Sequence, residues 1–347
     1  MEINQTPVRT VKHYKINNFS INEDFIFKQK IKNFNTFSVQ NDNFLIKNTC
    51  DKLKIQTPLS KEFLLMSNKN SNVNLHLTSQ KHKNNAHLTF NCTTETPLVD
   101  NICIICKEDT INNISILYTG VTTFRNSILK ICCEKGAILN LTLISDNSQS
   151  FNFQTIDCLL KENSVANVNL CDFENKINVH NFYSELIEDN AKLNVNAMYL
   201  QKNDNQTDLN YFVKILKPNC SAYINVNGVL NDYAKKSFKG TISFEKGCKK
   251  SVGEEDEYCI LLSNNCTSKA YPVLLSREED VNGKHSSSTG KIQNNKMFYI
   301  TSRGLTEQEA LKLITKAKLN KQINLIEDKN IQNYIIKKID RYFENEK

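Results

Sequence analysis

The sequence lacks the segments that would carry it into or across a membrane. It has no run of about eighteen or more apolar residues, which is the length that a membrane-spanning helix requires. Residues 1–6 form neither the apolar core of a secretory signal nor an Arg-rich transit sequence. These absences predict a soluble, cytoplasmic protein that has no membrane partner.

Signals of two common activities are also missing. No GxxxxGK[ST] phosphate-binding loop occurs, so ATP hydrolysis by this chain is not expected. The formal net charge of +7 arises from lysines that are interleaved with acidic residues along the chain, and no focused basic patch is therefore predicted. This charge pattern argues against nucleic acid as a partner.

The sequence contains twelve cysteines, which we interpret as reduced thiols because no secretory signal is present. Cys103 and Cys106 have the spacing of a zinc CxxC pair, but isoleucines surround them and no second pair follows at zinc-finger spacing. In a strand, their side chains would point to opposite faces. Buried packing is the favoured role of the cysteines, and metal binding is the alternative.

A weak repeat runs from about residue 82 to 250. Each copy is a polar or charged opening and a small residue, and most copies lead into a short strand with alternating apolar residues, as in 139–144 and 223–227. The copies begin at nearly constant intervals, at His82, Glu108, Glu134, Glu162, Glu188, Lys217 and Glu245. A repeat this short, with no helical pattern inside it, cannot close its own core, so its copies must stack into a solenoid with inward Asn residues or Asn ladders.

Several cysteines follow the same period. Cys106, Cys132 and Cys158 are equally spaced, and Cys220 and Cys248 hold the same position in their copies of the repeat. Neighbouring coils would stack such thiols about 4.8 Å apart. We interpret the ladder as small apolar filler of the coil interior, with metal capture as the alternative.

The chain changes character at Thr306. Thr306 and Glu309 have the spacing of a capping box, which predicts the start of a helix. Two amphipathic helices are predicted from apolar stripes at Ala310, Leu313, Ile314 and Ala317 and at Ile331, Tyr334, Ile335, Ile339 and Tyr342. They would either cap the open end of the solenoid or dock a partner protein.

Short motifs between residues 235 and 315 carry a family resemblance. They are Lys239-Gly240, interpreted as a turn before strand 241–242, then Ala270-Tyr271-Pro272 before Arg277-Glu278-Glu279-Asp280, His285 followed by Ser288-Thr289-Gly290-Lys291-Ile292, Met297-Phe298-Tyr299, and Ser302-Arg303-Gly304-Leu305 with Glu309-Ala310. Their order and spacing resemble the SufB/SufD family of iron–sulfur cluster assembly proteins. From about 80 to 235 the likeness is confined to the coil rhythm.

The resemblance implies a mainly β fold, a right-handed parallel β-helix (solenoid) core with C-terminal α-helices. The expected organisation is a divergent N-terminal region at 1–80, a β-helix core at 81–304 and a helical partner-docking segment at 305–347. The implied partners are a SufC-like ABC ATPase on the helices and, across the core, a SufB/SufD-like subunit or a second copy of this chain. The implied role is a non-catalytic scaffold that carries a transient iron–sulfur cluster.

The chain departs from the family pattern at several positions that carry ligands in relatives. SufB-type members have Cys where this chain has Glu257 and Glu where it has Ser286, while SufD-type members have Cys where it has Gly283. A family His that precedes a Pro falls on Ile215. These losses favour a second hypothesis, a structural paralogue without ligands that only supports a SufB–SufC complex.

Four residues remain as candidate ligands of a transient cluster. His285 is the family ligand that is retained, and Cys259 and Cys266 are the nearest thiols in sequence. Glu257 could add a carboxylate, although a solvated strand residue is the plainer interpretation. Thiolates bind iron–sulfur clusters most strongly, with imidazole and carboxylate as weaker substitutes.

An enzyme of another class is the third hypothesis. β-Helix carbohydrate enzymes need paired carboxylates on one exposed face. Residues 254–257 are all acidic, but such a run is more typical of a solvated turn. The hypothesis is therefore disfavoured.

Overall fold

The computed structural model describes residues 1–9, 14–22, 30–49, 54–94, 96–147 and 150–344. Most strands of this part belong to two facing sheets of nine. The first sheet contains β3 (Phe37–Asp42), β6 (Lys83–Cys92), β8 (Ile111–Gly120), β10 (Ile138–Asp146), β12 (Val165–Phe173), β14 (Lys192–Gln201), β16 (Ser221–Leu230), β18 (Ser251–Leu261) and β20 (Val281–Lys291). The second contains β4 (Phe44–Lys47), β5 (Val73–Ser79), β7 (Leu98–Cys106), β9 (Phe124–Cys133), β11 (Phe151–Leu160), β13 (Ile177–Leu186), β15 (Gln206–Ile215), β17 (Lys235–Phe244) and β19 (Thr267–Ser276).

From β5 onwards the chain alternates between the two sheets, and each strand pairs in parallel with the strand two places later. Eight coils result, from β5–β6 to β19–β20. Ile111, Ile138 and Val165 are aligned on neighbouring strands, at the same position of successive coils. The predicted mainly β solenoid with C-terminal helices is confirmed.

The repeated phrase of the sequence forms the turn that leads from the second sheet back to the first. Asp109, Asn163 and Asn190 have φ values of 53°, 55° and 60° in successive turns of this kind, and Gly136 has 66°. This left-handed conformation favours Asn, Asp and Gly. A Cβ at Gly136 would also lie 2.1 Å from Oδ1 of Asp109. The small and polar residues of the repeat are therefore those that the turns need.

A ladder of asparagines runs along the outer face of the first sheet. Nδ2–Oδ1 hydrogen bonds of 2.7–3.0 Å join five side chains on successive strands, Asn85, Asn113, Asn140, Asn167 and Asn194. Each bond satisfies amide groups that the sheet would otherwise leave half-buried without a partner. The predicted Asn ladder is confirmed.

The predicted cysteine ladder is wrong by one position. β7 and β9 align Cys106 with Cys133 and not with Cys132. Aligned residues of these two strands are one residue further apart in the sequence than the predicted ladder requires. Cys106, Cys133 and Cys158 are fully buried, whereas Cys132 lies on the other face and is half-buried. Cys103 is likewise less buried than Cys106, as expected for opposite faces of a strand. Among the described residues, no three His, Cys, Asp or Glu side chains are grouped so as to hold a metal ion.

The N-terminal region covers the outer face of the second sheet. β1 (Glu2–Ile3) and β2 (Phe19–Ser20) pair with each other, and α1 (Lys61–Asn70) begins after the N-cap Ser60. Apolar side chains of this region pack on outward residues of successive coils, in a cluster of Ile3, Leu59, Phe63, Met66, Val99, Phe124, Phe153 and Val179. β3 and β4 pair antiparallel with β6 and β5 and so cover the first coil.

Three helices follow the last strand, α2 (Asn294–Thr301), α3 (Glu307–Ile323) and α4 (Lys329–Tyr342). The capping box at Thr306 and Glu309 is confirmed, and so is the buried stripe of α4. The stripe predicted for α3 is wrong at Leu313, which is 49% exposed, and at exposed Ala317, whereas Ala310 is buried and Ile314 is half-buried in the cluster beneath the helices. The helix instead buries Thr315, Leu319, Gln322 and Ile323.

Of these helices, α3 and α4 pack along the side of the solenoid. They cover outward residues of the first sheet such as Cys171, Met198 and Val229, and Gln322 Nε2 donates to the carbonyl of Ala197 at 3.0 Å. The last coil keeps its inner face accessible, so the interpretation of the helices as an end cap is wrong. None of the helices in the described part is long and apolar enough to cross a membrane.

Candidate functional site

The four candidate ligands lie in the last two coils. Glu257 and Cys259 are on β18, His285 is on β20, and Cys266 is in the turn that precedes β19. The parallel register of β18 and β20 aligns Glu255 with His285, and Glu257 with Ser287. All of these strand residues belong to the inward face. The structure thus places His285 one strand further towards the open end than Glu257 and Cys259.

Glu257 is fully buried, and its expected exposure to solvent is wrong. Its Oε1 lies 2.5 Å from Nζ of Lys236 on the facing sheet, and its Oε2 accepts a 2.8 Å hydrogen bond from Ser287. The acidic run 254–257 is a strand and not a solvated turn, so alternate carboxylates point inward. Both ions of the Lys236–Glu257 pair have lost their water, and each therefore depends on the other.

The Cys259 thiol is fully buried beside this ion pair. Burial raises its pKa, while the Lys236 ammonium and the nearby Tyr199 hydroxyl lower it in part. Tyr199, Gly228 and Cys259 are aligned on successive strands. A Cβ at Gly228 would lie 2.2 Å from the ring of Tyr199, so glycine is required there for the ring to sit beside the thiol. Cys259 is a protonated thiol with a cation nearby that would favour its thiolate.

Cys266 is half-buried at the corner between β18 and β19. Its Sγ donates to the carbonyl of Asp232 at 3.6 Å. Burial raises the pKa of this thiol, and the proximity of Cys259 adds to the rise. The structure therefore brings the two candidate thiols into one neighbourhood, with Cys266 on the accessible side.

His285 is exposed, in the middle of the last strand of the first sheet. The strand residues around it, 282–289, are exposed as well. No further strand of the described chain pairs with the outer edges of β19 and β20. His285 therefore lies on an inward-facing surface that this chain leaves open.

Glu255 is a site residue that sequence reasoning missed. It is 2% exposed, and burial raises the pKa of its carboxyl to about 8, which the backbone amides of Val273 and Ile242 only partly offset. Neither oxygen accepts a well-aligned hydrogen bond. Gly240, predicted to lie in a turn, is inside β17, where a Cβ would be 2.8 Å from Oε2 of Glu255. The alternation of inward and outward residues along β18, which places Glu255 on the same face as Glu257 and Cys259, was the signal that could have identified it as buried.

The middle coils contain a different buried polar group. Nε2 of His180 lies 3.3 Å from Oδ1 of Asp172, and both side chains are 1% exposed. Burial raises the pKa of Asp172 to about 7 and lowers the pKa of His180 to about 3. The nearby Arg125 guanidinium lowers both values. Near neutral pH the His180 ring is therefore uncharged, and the contact with Asp172 is not an ion pair.

Comparison with known proteins agrees with this architecture. A family model described as "SUF system FeS cluster assembly, SufBD core domain" matches residues 89–318. The iron–sulfur cluster assembly protein SufD of Bacillus subtilis (strain 168) is 29% identical over 119 residues, which are 34% of this chain and 27% of that protein. SufD of Escherichia coli (strain K12) is 22% identical over 200 residues, which are 58% of this chain and 47% of that protein.

An archaeal protein shows the same relationship over a shorter stretch. An iron–sulfur cluster assembly SufBD family protein of Pyrococcus horikoshii is 34% identical over 88 residues, which are 25% of this chain and 19% of that protein. The matches span less than half the length of each of these three relatives. Because the family model covers well over half of this chain and falls on its stacked coils, the chain belongs to the SufBD core-domain family of the SUF iron–sulfur cluster assembly system.

Proposed function

We propose that this protein is a scaffold subunit in SUF-type iron–sulfur cluster assembly and that it has no catalytic activity of its own. The observation that carries the proposal is the open last coil, which exposes His285 on its inward face and leaves Cys266 half-buried at its corner. Cys259, on the neighbouring strand of the sheet, is buried and is aligned with Thr289, four residues from His285. A thiol, a second thiol and an imidazole are suitable transient ligands for an iron–sulfur cluster as cargo. Family membership supports the same role.

The ligand set of one chain is incomplete. Cys259 is buried and Glu257 is held by Lys236, so binding requires a change in the packing of the last coil or ligands from a second subunit. Pro272 removes one backbone donor from β19, whereas β20 contains no proline and presents a continuous edge. An exposed edge of this kind can pair with a strand of another chain. We infer that a SufB/SufD-like subunit or a second copy of this chain covers the last coil.

The helices present a second surface for a partner. Phe298 and Tyr299 on α2 are 75% and 61% exposed, and Leu313 on α3 is 49% exposed. These apolar side chains take no part in packing α3 and α4 on the solenoid. They are suited to contact a SufC-like ABC ATPase. That partner would supply the ATP hydrolysis, since this chain has no phosphate-binding loop motif.

The test is anaerobic reconstitution of the full chain with ferrous iron and sulfide, alone and with a SufC-like partner. A thiolate-to-iron absorption band is expected, strongest with the partner present. Cys259→Ser should lower the band at least twofold, while Cys171→Ser, a fully buried cysteine beneath the C-terminal helices, should leave it unchanged. Leu313→Asp should remove only the partner's contribution.

A ligand-less structural paralogue is the second candidate function. It is favoured by the engagement of Glu257 with Lys236 and Ser287, which leaves that carboxylate with no oxygen free for iron. In this case no band appears in either reconstitution, the Cys259→Ser variant behaves as the parent, and Leu313→Asp still weakens the complex with the SufC-like partner. The same experiment therefore separates the two candidates.

A further inference from the structure

A groove of about 780 Å³ lies between the N-terminal segment and the beginning of β15, β17 and β19. Its floor is formed by the first residues of these strands, and its wall by residues of the N-terminal segment from Glu2 to Ser20 that the structure describes. The residues that bear on its chemistry are Arg9, Lys15, Lys235, Lys269, Ser237 and Asp208. The groove is on the outer side of the second sheet, whereas Cys259 belongs to the interior.

The groove gathers positive charge that has little compensation. Arg9, Lys15 and Lys235 are exposed, and Lys269 is half-buried beside them. β17 and β19 align Lys235 with Thr267 and Ser237 with Lys269, so the two lysines are diagonal neighbours on adjacent strands. Like charges held this close repel each other unless an anion lies between them.

The acidic residues around the groove are already engaged. Oδ1 of Asp208 lies 2.5 Å from Nζ of Lys239 and accepts a hydrogen bond from Nδ2 of Asn4. Asp204, which is close to Lys235, binds Lys176 at 2.7 Å. Glu2 accepts a hydrogen bond from Asn18. Within the described residues, the groove therefore has an excess of cations.

The wall of the groove is fixed to its floor. Lys239 Nζ donates to the carbonyl of Asn4 at 3.0 Å, and Lys269 Nζ donates to the carbonyl of Tyr14 at 3.0 Å. The backbone N–H of Thr6 donates to the carbonyl of Asn17 at 2.9 Å. The concave shape is thus formed before any ligand arrives, which lowers the entropic cost of binding.

Neutral polar side chains line the groove beside the cations. Half-buried Asn17 and Ser237 provide polar groups along the lining.

We propose that this groove binds a small soluble polyanion of the phosphate class, of nucleotide size. Phosphate oxygens are charged acceptors that suit several lysines, an arginine and hydroxyl donors together. The volume lies within the range of small-molecule sites and is far larger than a single monatomic anion needs. The proposed site does not include Cys259 or the inner face of the last coil. Whether the groove binds phosphates is therefore independent of whether this protein acts in cluster assembly.

The experiment is isothermal titration of the full chain with inorganic phosphate, pyrophosphate, tripolyphosphate and ATP, each without divalent metal and at constant ionic strength set with sodium chloride. Affinity is expected to rise with the number of phosphates. Equal affinity for tripolyphosphate and ATP assigns the site to the phosphates alone, and tighter binding of ATP adds a contribution from the nucleoside. Absence of heat with all four probes overturns the proposal.

Variants test whether binding takes place in the groove. Lys235→Gln combined with Lys269→Gln should weaken pyrophosphate binding at least tenfold, and Ser237→Ala, which removes a half-buried hydroxyl of the lining, should weaken it several-fold. Lys246→Gln combined with Lys249→Gln, two exposed lysines in a turn at the opposite corner of the coil, is the control with the same charge change. Circular dichroism checks that the variants are folded. An equal loss in both double variants would mean attraction by net charge alone and would reject the site.

Discussion

The middle coils and the last coil are built from the same two-strand repeat but differ in what covers them. In the middle, α3 and α4 cover the first sheet, the N-terminal segment covers the second, and neighbouring coils cover both edges. Among the described residues, the last coil has a neighbour on one edge only, and β20 is exposed along most of its length. Stacking of the repeat therefore stabilises the middle coils. The last coil, which has no coil of the described chain stacked on its outer edge, leaves an accessible surface.

The two regions also differ in how they carry buried charge. The middle coils hold Asp172 and His180 in a contact in which the ring is uncharged near neutral pH, whereas the coil beneath the open end holds the Lys236–Glu257 ion pair. An uncharged imidazole can be buried at low cost, but a buried ion requires its counterion. The middle coils also bury the guanidinium of Arg125, so the difference lies in the direct pairing of a buried ammonium with a carboxylate next to the open coil.

The largest effect should come from breaking this ion pair. Lys236→Met leaves Glu257 buried without its counterion and should reduce the free energy of unfolding by about 3–5 kcal/mol in urea denaturation. Lys235→Met, at the adjacent exposed lysine, is the matched control and should change it by less than about 0.5 kcal/mol. Adding Glu257→Met to Lys236→Met should restore most of the loss. A loss below about 1 kcal/mol in the single variant would show that the pair is not desolvated.

Truncating one leucine in each region sharpens the comparison of their packing. Leu170 on β12 is fully buried, so Leu170→Ala should cost about 2–5 kcal/mol of unfolding free energy. Leu274 on β19 is only half-buried, and Leu274→Ala should cost about 1 kcal/mol by the same measurement. If a second subunit covers the last coil, its presence should raise the cost at Leu274 and leave that at Leu170 unchanged. Equal costs in the isolated chain would contradict an open last coil.

The third expected effect is a pH dependence that originates at Glu255. Its pKa is about 8 in the folded chain, against an ordinary value of 4.5, so between these values the unfolded chain loses the proton first. Stability from this group is complete below about pH 4.5 and falls as the pH rises towards 8. Glu255→Gln should make the decrease in unfolding free energy shallower by up to about 1.4 kcal/mol per pH unit.

The measurement is urea denaturation of both proteins at intervals from about pH 5 to about pH 8.5, which brackets the titration of this carboxyl. Asp172 and His180 are present in both, so their contributions cancel in the difference. Glu254→Gln, at the neighbouring residue that faces solvent near Lys284, is the control and should keep the slope of the parent. If Glu255→Gln leaves the slope as steep as in the parent, Glu255 is not a buried acid.

Features that depend on local spacing could be predicted from the sequence. The turns at Asp109 and Gly136, the Asn ladder, the capping box at Thr306 and the buried stripe of α4 all followed from residue type and period. Each of them is set by interactions within a few residues or between identical positions of neighbouring copies. Local propensity and periodicity are therefore sufficient to identify them.

The candidate site was predicted only in part. The resemblance pointed to residues that lie on β18 and β20, and the alternation correctly placed Glu257 and Cys259 on one face. The pairing of Glu257 with Lys236 could not be foreseen, although the alternation of the strand was a signal that Glu255 and Glu257 share one buried face. Lys236 is distant from Glu257 in the sequence and reaches it only because the two sheets face each other.

By itself, the sequence determined that this chain winds into stacked β coils and ends in helices, because a short repeat with period-two strands has no other way to bury its apolar face. Tertiary structure alone decided the strand register that aligns Cys106 with Cys133, the side of α3 that is buried, and the coil that stays open. These depend on how whole sheets and helices fit against one another. Such fitting is a sum of many weak contacts over the entire interface, and no single motif encodes it.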